Sequence, residues 1–271
     1  MRPYKTQHTH YCGVDLHARS LFVNVLDDKG TTRLEQDIPA SPAAFLDAVK
    51  PYREGLVVGC ECMFAWYWLA DLCERERIPF VLGHALAMKA IHGGKAKNDT
   101  PDAQKIAGLL RGGFFPMAYV YPKAKRETRD LLRRRSFFVR QRAQLIAHIQ
   151  NTNSQYDLPP FDKKLTYKGN RSAEIADRFE HPSTQLSIAS DLNLIESYDT
   201  QIAALESHLV RSAKVDDPAT FQFLRTIPGT GPILGLVMLY EIDATGPARG
   251  AVSRTGAERA TAFVEACSSG A

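Results

Sequence analysis

Residues 1–121 alternate between short apolar runs and amphipathic stretches, a pattern typical of an α/β domain. The run "YCGVDLH", the alternating "SLFVNVLDDKG" and the returning "TTRLEQDIPA" predict a meander of three strands. Next, "SPAAFLDAVKPY" carries a serine N-cap signal and predicts a helix that stops near Pro51. The segment "GLVVGCE" predicts a buried strand, "FAWYWLADLCERER" a helix and "IPFVLGH" another strand. Together they predict a mixed sheet with helices on its faces.

From Pro122 onward the pattern changes to long helices. Residues 123–158 contain no glycine or proline and predict one long helix, which "LPPFDKKLTYKGN" then interrupts. A second long helix is predicted from Pro182 to Lys214. Within it, apolar side chains recur as heptads at Ile188, Ile195, Ile202 and Leu209, with Tyr198 and Leu205 between them and Asp191 as a polar exception. Such a seam indicates either a coiled coil between chains or a helix packed on its own domain.

The last apolar segment, "FLRTIPGTGPILGLVMLYEID", predicts a small helical unit. We therefore expect three regions: residues 1–121, a basic helical region at 122–215, and residues 216–271. In the turn "IPGTG", Gly229 and Gly231 precede an apolar helix, and glycines allow a phosphate to approach the backbone near a helix N-terminus. The turn resembles half of a helix-hairpin-helix that binds the DNA backbone, although an ordinary tight turn would explain it equally.

Composition favours a soluble cytoplasmic protein. At 271 residues and 44% hydrophobic, the chain is able to bury a substantial core. It lacks an apolar run of about 18 residues, which argues against a membrane span. The beginning, "MRPYKTQHTH", lacks the apolar core of a signal peptide. Its five cysteines form no CxxC pair, which suits a reducing compartment.

Charge is concentrated in one block. The net charge is only +4, yet residues 123–142 contain nine Lys or Arg against two acids. Such a block indicates contact with a polyanion, most often nucleic acid, through salt-sensitive phosphate contacts that do not read sequence. A solvated basic helix face is the alternative. The candidate nucleic-acid-binding side chains here are Lys125, Arg126, Arg129, Arg133 and Arg134.

Four acidic residues fall at the ends of predicted elements. Asp15 ends the first strand of the meander, Glu61 ends "VVGCE", and Asp99 and Asp102 lie three apart in "KNDTPDA" at a helix start. Open α/β sheets place their sites at strand ends, and carboxylate oxygens are suitable ligands for one or two Mg²⁺ ions. Each acid also has a structural interpretation, since Asp99 is a plausible helix cap and Asp102 would favour the helix dipole.

The order of these motifs resembles the insertion-sequence-110 family of DEDD transposases. The resemblance extends from "GVDLH" through "VVGCE", "KNDTPDA" and the basic helical region to "LRTIPGTGP", about residues 11–243. It implies an RNase H/RuvC-like sheet with flanking helices, whose Mg²⁺-binding tetrad is Asp15, Glu61, Asp99 and Asp102. It also implies coiled-coil-like helices, a small helical C-terminal segment, homo-oligomers that recombine DNA, and a structured RNA partner encoded by the element.

The resemblance ends in the tail. Family members continue beyond the IPG turn into a segment that supplies a serine nucleophile, whereas residues after Asp243 are rich in Ala, Gly and Arg. Ser253, Ser268 and Ser269 do not lie in matching surroundings, so the nucleophile is unassigned. The change suggests translation out of frame or a divergent end, and strand transfer is then expected to fail. Two alternatives follow: a non-catalytic nucleic-acid-binding remnant, or an ATP-using fold, which would need a second phosphate loop that the sequence does not offer.

Overall fold

A computed structural model describes residues 3–92 and 102–241. The chain divides into two compact units, Met1–Tyr121 and Pro122–Ala271. None of the helices in the described ranges is both long and apolar enough to cross a membrane.

The first unit is built on a mixed sheet, and the predicted meander is confirmed. Strands β2 (His10–Leu16), β3 (Ser20–Asp27) and β4 (Thr32–Pro39) pair antiparallel in succession. Strands β5 (Leu56–Glu61) and β6 (Phe80–Gly83) then add in parallel beside β2, which gives the order β4-β3-β2-β5-β6 within the described residues. A short pairing joins β1 (Pro3–Tyr4) to β7 (Phe115–Pro116).

Helices cover both faces of this sheet. Helix α1 (Pro42–Val49) begins at its predicted cap, because the Ser41 hydroxyl accepts a hydrogen bond from the amide of Ala44 at 3.2 Å. Helix α1 and helix α2 (Trp66–Arg75) pack on the face formed by Cys12, Val14 and Leu16. Helix α3 (Ala85–His92) and helix α4 (Asp102–Gly112) together cover the opposite face. The sequence pattern predicts only the beginning of α4 and gives no signal for α3.

A pair of glycines brings α4 close to the sheet. Gly13 of β2 lies directly opposite Gly59 of β5, on the face that α4 covers. A Cβ placed on Gly13 would lie 1.9 Å from the carbonyl oxygen of Ala103, and one on Gly59 would lie 2.7 Å from a methyl of Leu110. Because neither residue has a side chain, the α4 backbone rests against the strands themselves. We call this paired-glycine depression the glycine groove.

The second unit contains an antiparallel helical hairpin of α5 (Lys123–Gln155) and α6 (Pro182–Asp216), both close to their predicted lengths. Arg135 pairs with Glu206, and farther along the hairpin His148 pairs with Asp191. Two shorter helices follow, α7 (Pro218–Thr226) and α8 (Pro232–Glu241).

The heptad side chains of α6 are buried inside this unit. Ile188 and Ile195 pack with Ile146 and Ile149 of α5, and Leu209 packs with Leu132. Asp191, the polar exception in the heptads, is also buried and lies 2.5 Å from Nδ1 of His148. The structure thus favours packing within the chain as the role of the seam, and a coiled coil between chains stays a prediction.

The glycine groove makes a testable prediction about stability. Replacing Gly13 with Ala forces a Cβ into the Ala103 carbonyl, so α4 must move and the free energy of unfolding should fall by about 1–3 kcal/mol. Urea denaturation of the two proteins measures the difference.

Gly108→Ala is the matched control. Gly108 lies within α4 itself, and a Cβ there meets no described atom within 4 Å. Since alanine favours helix over glycine by about 0.5–1 kcal/mol, this variant should be as stable as the parent or more so. Equal stability of Gly13→Ala and the parent would show that α4 does not depend on the groove.

Candidate functional site

Two of the predicted carboxylates are brought together by the pairing of β2 with β5. These strands are parallel, and Val14 lies opposite Cys60. Asp15 and Glu61 are the next residues on their strands, so they end side by side. Since side chains alternate along a strand, both point to the face of Gly13 and Gly59, which α4 covers.

Asp102, the third carboxylate, is placed by α4. It is the first residue of the helix, and the following residue, Ala103, is the one whose backbone rests on Gly13. The glycine groove therefore fixes the N-terminus of α4 near the strand ends that carry Asp15 and Glu61. Asp99 lies outside the described residues, so its predicted membership of the cluster stays a prediction.

The electrostatics of Glu61 reflect this convergence. Burial raises its pKa, and the negative charges of Asp102 and Asp15 raise it further. One cation partly offsets the charge, since Lys105 Nζ donates to Asp102 Oδ1 at 2.7 Å. In addition, His17 Nε2 lies 3.3 Å from Asp15 Oδ2. Negative charge is concentrated where the three elements meet.

A cleft of about 340 Å³ opens beside these acids. Glu61 and Asp102 line one part of it, and Lys89 of α3 contributes a cation. Its remaining lining is apolar: Ala85, Leu86, Met88 and Ile106. Sequence analysis missed Lys89, since "HALAMKAIH" carries no helix-start signal and only the packing of α3 places the lysine here. The cleft thus offers oxygen ligands next to a group that attracts phosphate.

The donor set suits a hard divalent cation. Carboxylate oxygens are the preferred protein ligands of Mg²⁺, and the mutual repulsion at Glu61 is the kind that a cation relieves. Within residues 3–92 and 102–241, no group of three acidic, histidine or cysteine side chains is arranged so that it could hold a metal ion. A full ligand set would therefore need Asp99 or a substrate oxygen.

Several basic side chains of α5 make contacts inside the second unit. Arg126 and Arg129 are only 4% and 9% exposed, and Arg129 Nε donates to Glu241 of α8 at 3.0 Å. Their burial argues against the predicted phosphate contacts of these two residues. Arg133 is exposed but also binds Glu241, at 2.7 Å, while the exposed Arg134 stacks over Phe138. Lys125 is half-buried, so contact with nucleic acid stays a prediction for it, for Arg133 and for Arg134.

The turn "IPGTG" joins α7 to α8. Gly229 has φ +81°, in the region that favours glycine, and the amide of Thr230 donates to the Ile227 carbonyl at 3.0 Å. Neither Gly229 nor Gly231 has another described atom within 4 Å of where its Cβ would stand. The turn is therefore open on its glycine side with respect to the described residues, and its binding of a DNA backbone stays a prediction. Ser253, Ser268 and Ser269 lie outside the described residues.

The raised pKa of Glu61 leads to a prediction. Asp102→Asn removes one of the charges that raise it, so the pKa of Glu61 should move down toward its ordinary value. Carboxyl chemical shifts measured by NMR across an acid titration would report this directly.

The effect of Asp102→Asn on stability depends on pH, because proton binding to Glu61 is coupled to folding. With a pKa higher in the folded than in the unfolded chain, Glu61 favours folding when protonated, and that benefit is lost as pH rises through its folded-state pKa. Asp102→Asn should therefore unfold less readily than the parent at neutral pH, and equally readily in acid. Asp47→Asn, an exposed change on α1, is the control; an unchanged Glu61 titration in Asp102→Asn would contradict the convergence of the two acids.

A further prediction concerns the ion pairs that join Glu241 of α8 to Arg129 and Arg133 of α5. Burial alone would raise the pKa of Glu241, but Arg133 and Arg129 outweigh it and lower the pKa. Glu241→Gln removes the negative charge that accepts hydrogen bonds from Arg129 and Arg133, which should reduce the free energy of unfolding by about 1–3 kcal/mol.

This loss should appear at neutral pH and shrink as acid protonates Glu241 in the parent. A carboxyl group whose pKa is lowered by folding stabilises the folded chain while it is ionised, and that stabilisation is lost as the pH falls through its folded-state pKa. Urea denaturation at two pH values is the measurement, and Glu180→Gln, at an exposed site, is the control. A pH-independent difference between Glu241→Gln and the parent would exclude the charge as its cause.

Comparison with known families agrees with this arrangement. No curated protein matches the chain. The family model of the insertion-sequence-110 DEDD transposases, described as "Transposase", matches residues 12–156, which is more than half of the chain and includes β2 through α5. Asp15, Glu61 and Asp102 all lie within the matched part. The chain belongs to the DEDD transposase family of insertion-sequence-110 elements.

Proposed function

We propose that this chain is a Mg²⁺-dependent DNA recombinase that cleaves and joins strands of an insertion sequence. Membership of the transposase family supports a DNA substrate. The observation that carries the proposal is the convergence of Asp15, Glu61 and Asp102 at one edge of the sheet. Residues 1–121 form the catalytic unit of the proposal, with Asp99 as the fourth acid.

Each group around the cleft has a task in this proposal. Asp15, Glu61 and Asp102, together with Asp99, would hold Mg²⁺, and the bound ion would stabilise the attacking and leaving oxygens of a phosphodiester. Lys105 orients the Asp102 carboxylate through its 2.7 Å hydrogen bond, and the His17 ring lies beside Asp15, with Nε2 3.3 Å from Oδ2. Lys89, which lines the same cleft as Glu61 and Asp102, attracts the phosphate.

The finer parts of the proposal extend the family relationship. A structured RNA encoded by the element would guide the recombination, and several copies of the chain would act together in the cytoplasm. Residues 122–215 would supply the basic helical contacts, and residues 216–271 the start of the C-terminal transposase region. The nucleophile is unassigned.

Metal binding provides the central test. A ligand that binds only the folded chain stabilises it by about 2.7 kcal/mol at a hundredfold excess over its Kd. Mg²⁺ or Mn²⁺ should therefore raise the Tm of the parent. It should not raise the Tm of Asp15→Asn, whose metal-free form is expected to be no less stable than the parent because a repulsive charge is gone.

Asp47→Asn is again the control, and it should respond to Mg²⁺ as the parent does. If Asp15→Asn and Asp102→Asn bind the metal with the affinity of the parent, the assignment of these ligands is wrong. If the parent binds DNA but neither binds metal nor cleaves element-end DNA, the chain is a nucleic-acid-binding protein without catalysis.

A further inference from the structure

The connection between α5 and α6 forms an exposed basic surface that the sequence analysis did not consider. Residues 162–171 contain four Lys or Arg against one acid. Lys163, Lys164, Tyr167 and Lys168 are all exposed, and Tyr167 is 65% exposed despite its large ring. We call these four side chains the loop surface.

The backbone beneath the loop surface is fixed. Leu165 is buried with Ile146 and Ile175. Two successive turns follow, in which the amide of Tyr167 donates to Lys164 O at 3.3 Å and that of Asn170 to Tyr167 O at 3.0 Å. A surface already held in one conformation loses less entropy when it binds a partner.

Arg171 ties the same connection to the hairpin. Its guanidinium donates to the carbonyl of Leu165 at 2.7 Å and pairs with Asp199, which also binds Arg142 of α5. The Arg171 guanidinium therefore stabilises the connection itself and fixes the loop surface relative to both long helices.

A small cleft of about 200 Å³ adjoins the loop surface. Its lining includes Lys168, Ser172 and Asn193, which are able to donate hydrogen bonds to a phosphate, and Glu196, which opposes one. Lys168 pairs with Glu196 at 3.0 Å, but both side chains are 66% exposed, and such pairs contribute little. A phosphate is therefore able to compete for Lys168.

The loop surface contrasts with the arginines of α5. Arg129, Arg133, Arg135 and Arg142 all bind acids of the same unit. Acids also lie near the loop surface, at Asp162, Glu174 and Glu196, but Lys163 and Lys164 have no ion pair within the part of the chain that the structure describes. Lysines without an ion pair among the described residues, within four residues of an exposed aromatic ring, combine the two features that sites for unpaired nucleotides use: positive charge for the backbone and a ring for a base.

We propose that the loop surface binds single-stranded nucleic acid, with a base stacked on Tyr167 and phosphates on Lys163, Lys164 and Lys168. This rests on the proposed function only in that a transposase handles nucleic acid. It assigns that contact to the connection between α5 and α6, beside Glu196 and Asp199 in the middle of α6, and to none of the side chains considered above for the cleft or for α5. A duplex offers no unpaired base, so its affinity should depend on the lysines alone.

Fluorescence anisotropy with labelled dT20, rU20 and a 20-base-pair duplex tests this. Tyr167→Ala should weaken binding of dT20, rU20 or both by about tenfold or more and leave the duplex unchanged, whereas Tyr167→Phe should retain the parent's affinity. Phe114→Ala, which removes another exposed aromatic ring, should bind all three as the parent does.

The lysines are tested by salt dependence. Removing one phosphate interaction with a single strand reduces the slope of log K against log salt by about 0.7, so Lys163→Ala with Lys164→Ala should reduce it by about 1.4. The control pair is Lys50→Ala with Lys214→Ala, both at exposed sites. Circular dichroism confirms that each variant is folded.

The outcomes separate this inference from the proposed function. If the parent binds single strands and the Tyr167 and lysine variants match it in affinity and slope, the loop surface is not the site, and the proposed function stands. If the parent binds no nucleic acid even at low salt, both proposals are wrong. Preference for dT20 over rU20, or the reverse, shows which nucleic acid is the partner.

Discussion

The contact between the backbone of α4 and the glycine groove is the constraint on which the first unit depends. Glycine weakens a strand because it loses more conformational freedom on folding than other residues. At Gly13 and Gly59 that loss is offset by the close approach of Ala103 and Leu110. The position of Asp102 next to Asp15 and Glu61 is a consequence of this packing, because the helix begins one residue before its contact with Gly13.

Much of the first unit could be predicted from sequence because its signals are local. Alternation of apolar residues identified the meander, and a serine cap located α1, both of which the structure confirms. The same signals placed Asp15 and Glu61 at strand ends. Their adjacency needs the pairing of β2 with β5, and the place of Lys89 needs the packing of α3; no local pattern contains either.

The second unit shows what a count of charges along one helix leaves out. The excess of arginine in α5 predicts contact with a polyanion, and four of these arginines bind Glu241, Glu206 or Asp199, which lie more than fifty residues away in the chain. A pattern within one helix does not reveal which of its charges meet partners from another. The burial of Arg126 and Arg129 has the same origin, since α5 packs against the helices that follow it.

The parallel register of β2 and β5 has a consequence for how this site tolerates change. Side chains alternate between faces, so inserting or deleting one residue in either strand would send one carboxylate to the side of α1 and α2. A change of two residues would preserve the face but displace the carboxylate by about 6.6 Å. An odd change in strand length therefore moves a carboxylate to the wrong face, whereas an even change shifts it along the correct face. The chain is able to vary in length without moving the acids only in the loops beyond Leu16 and Glu61.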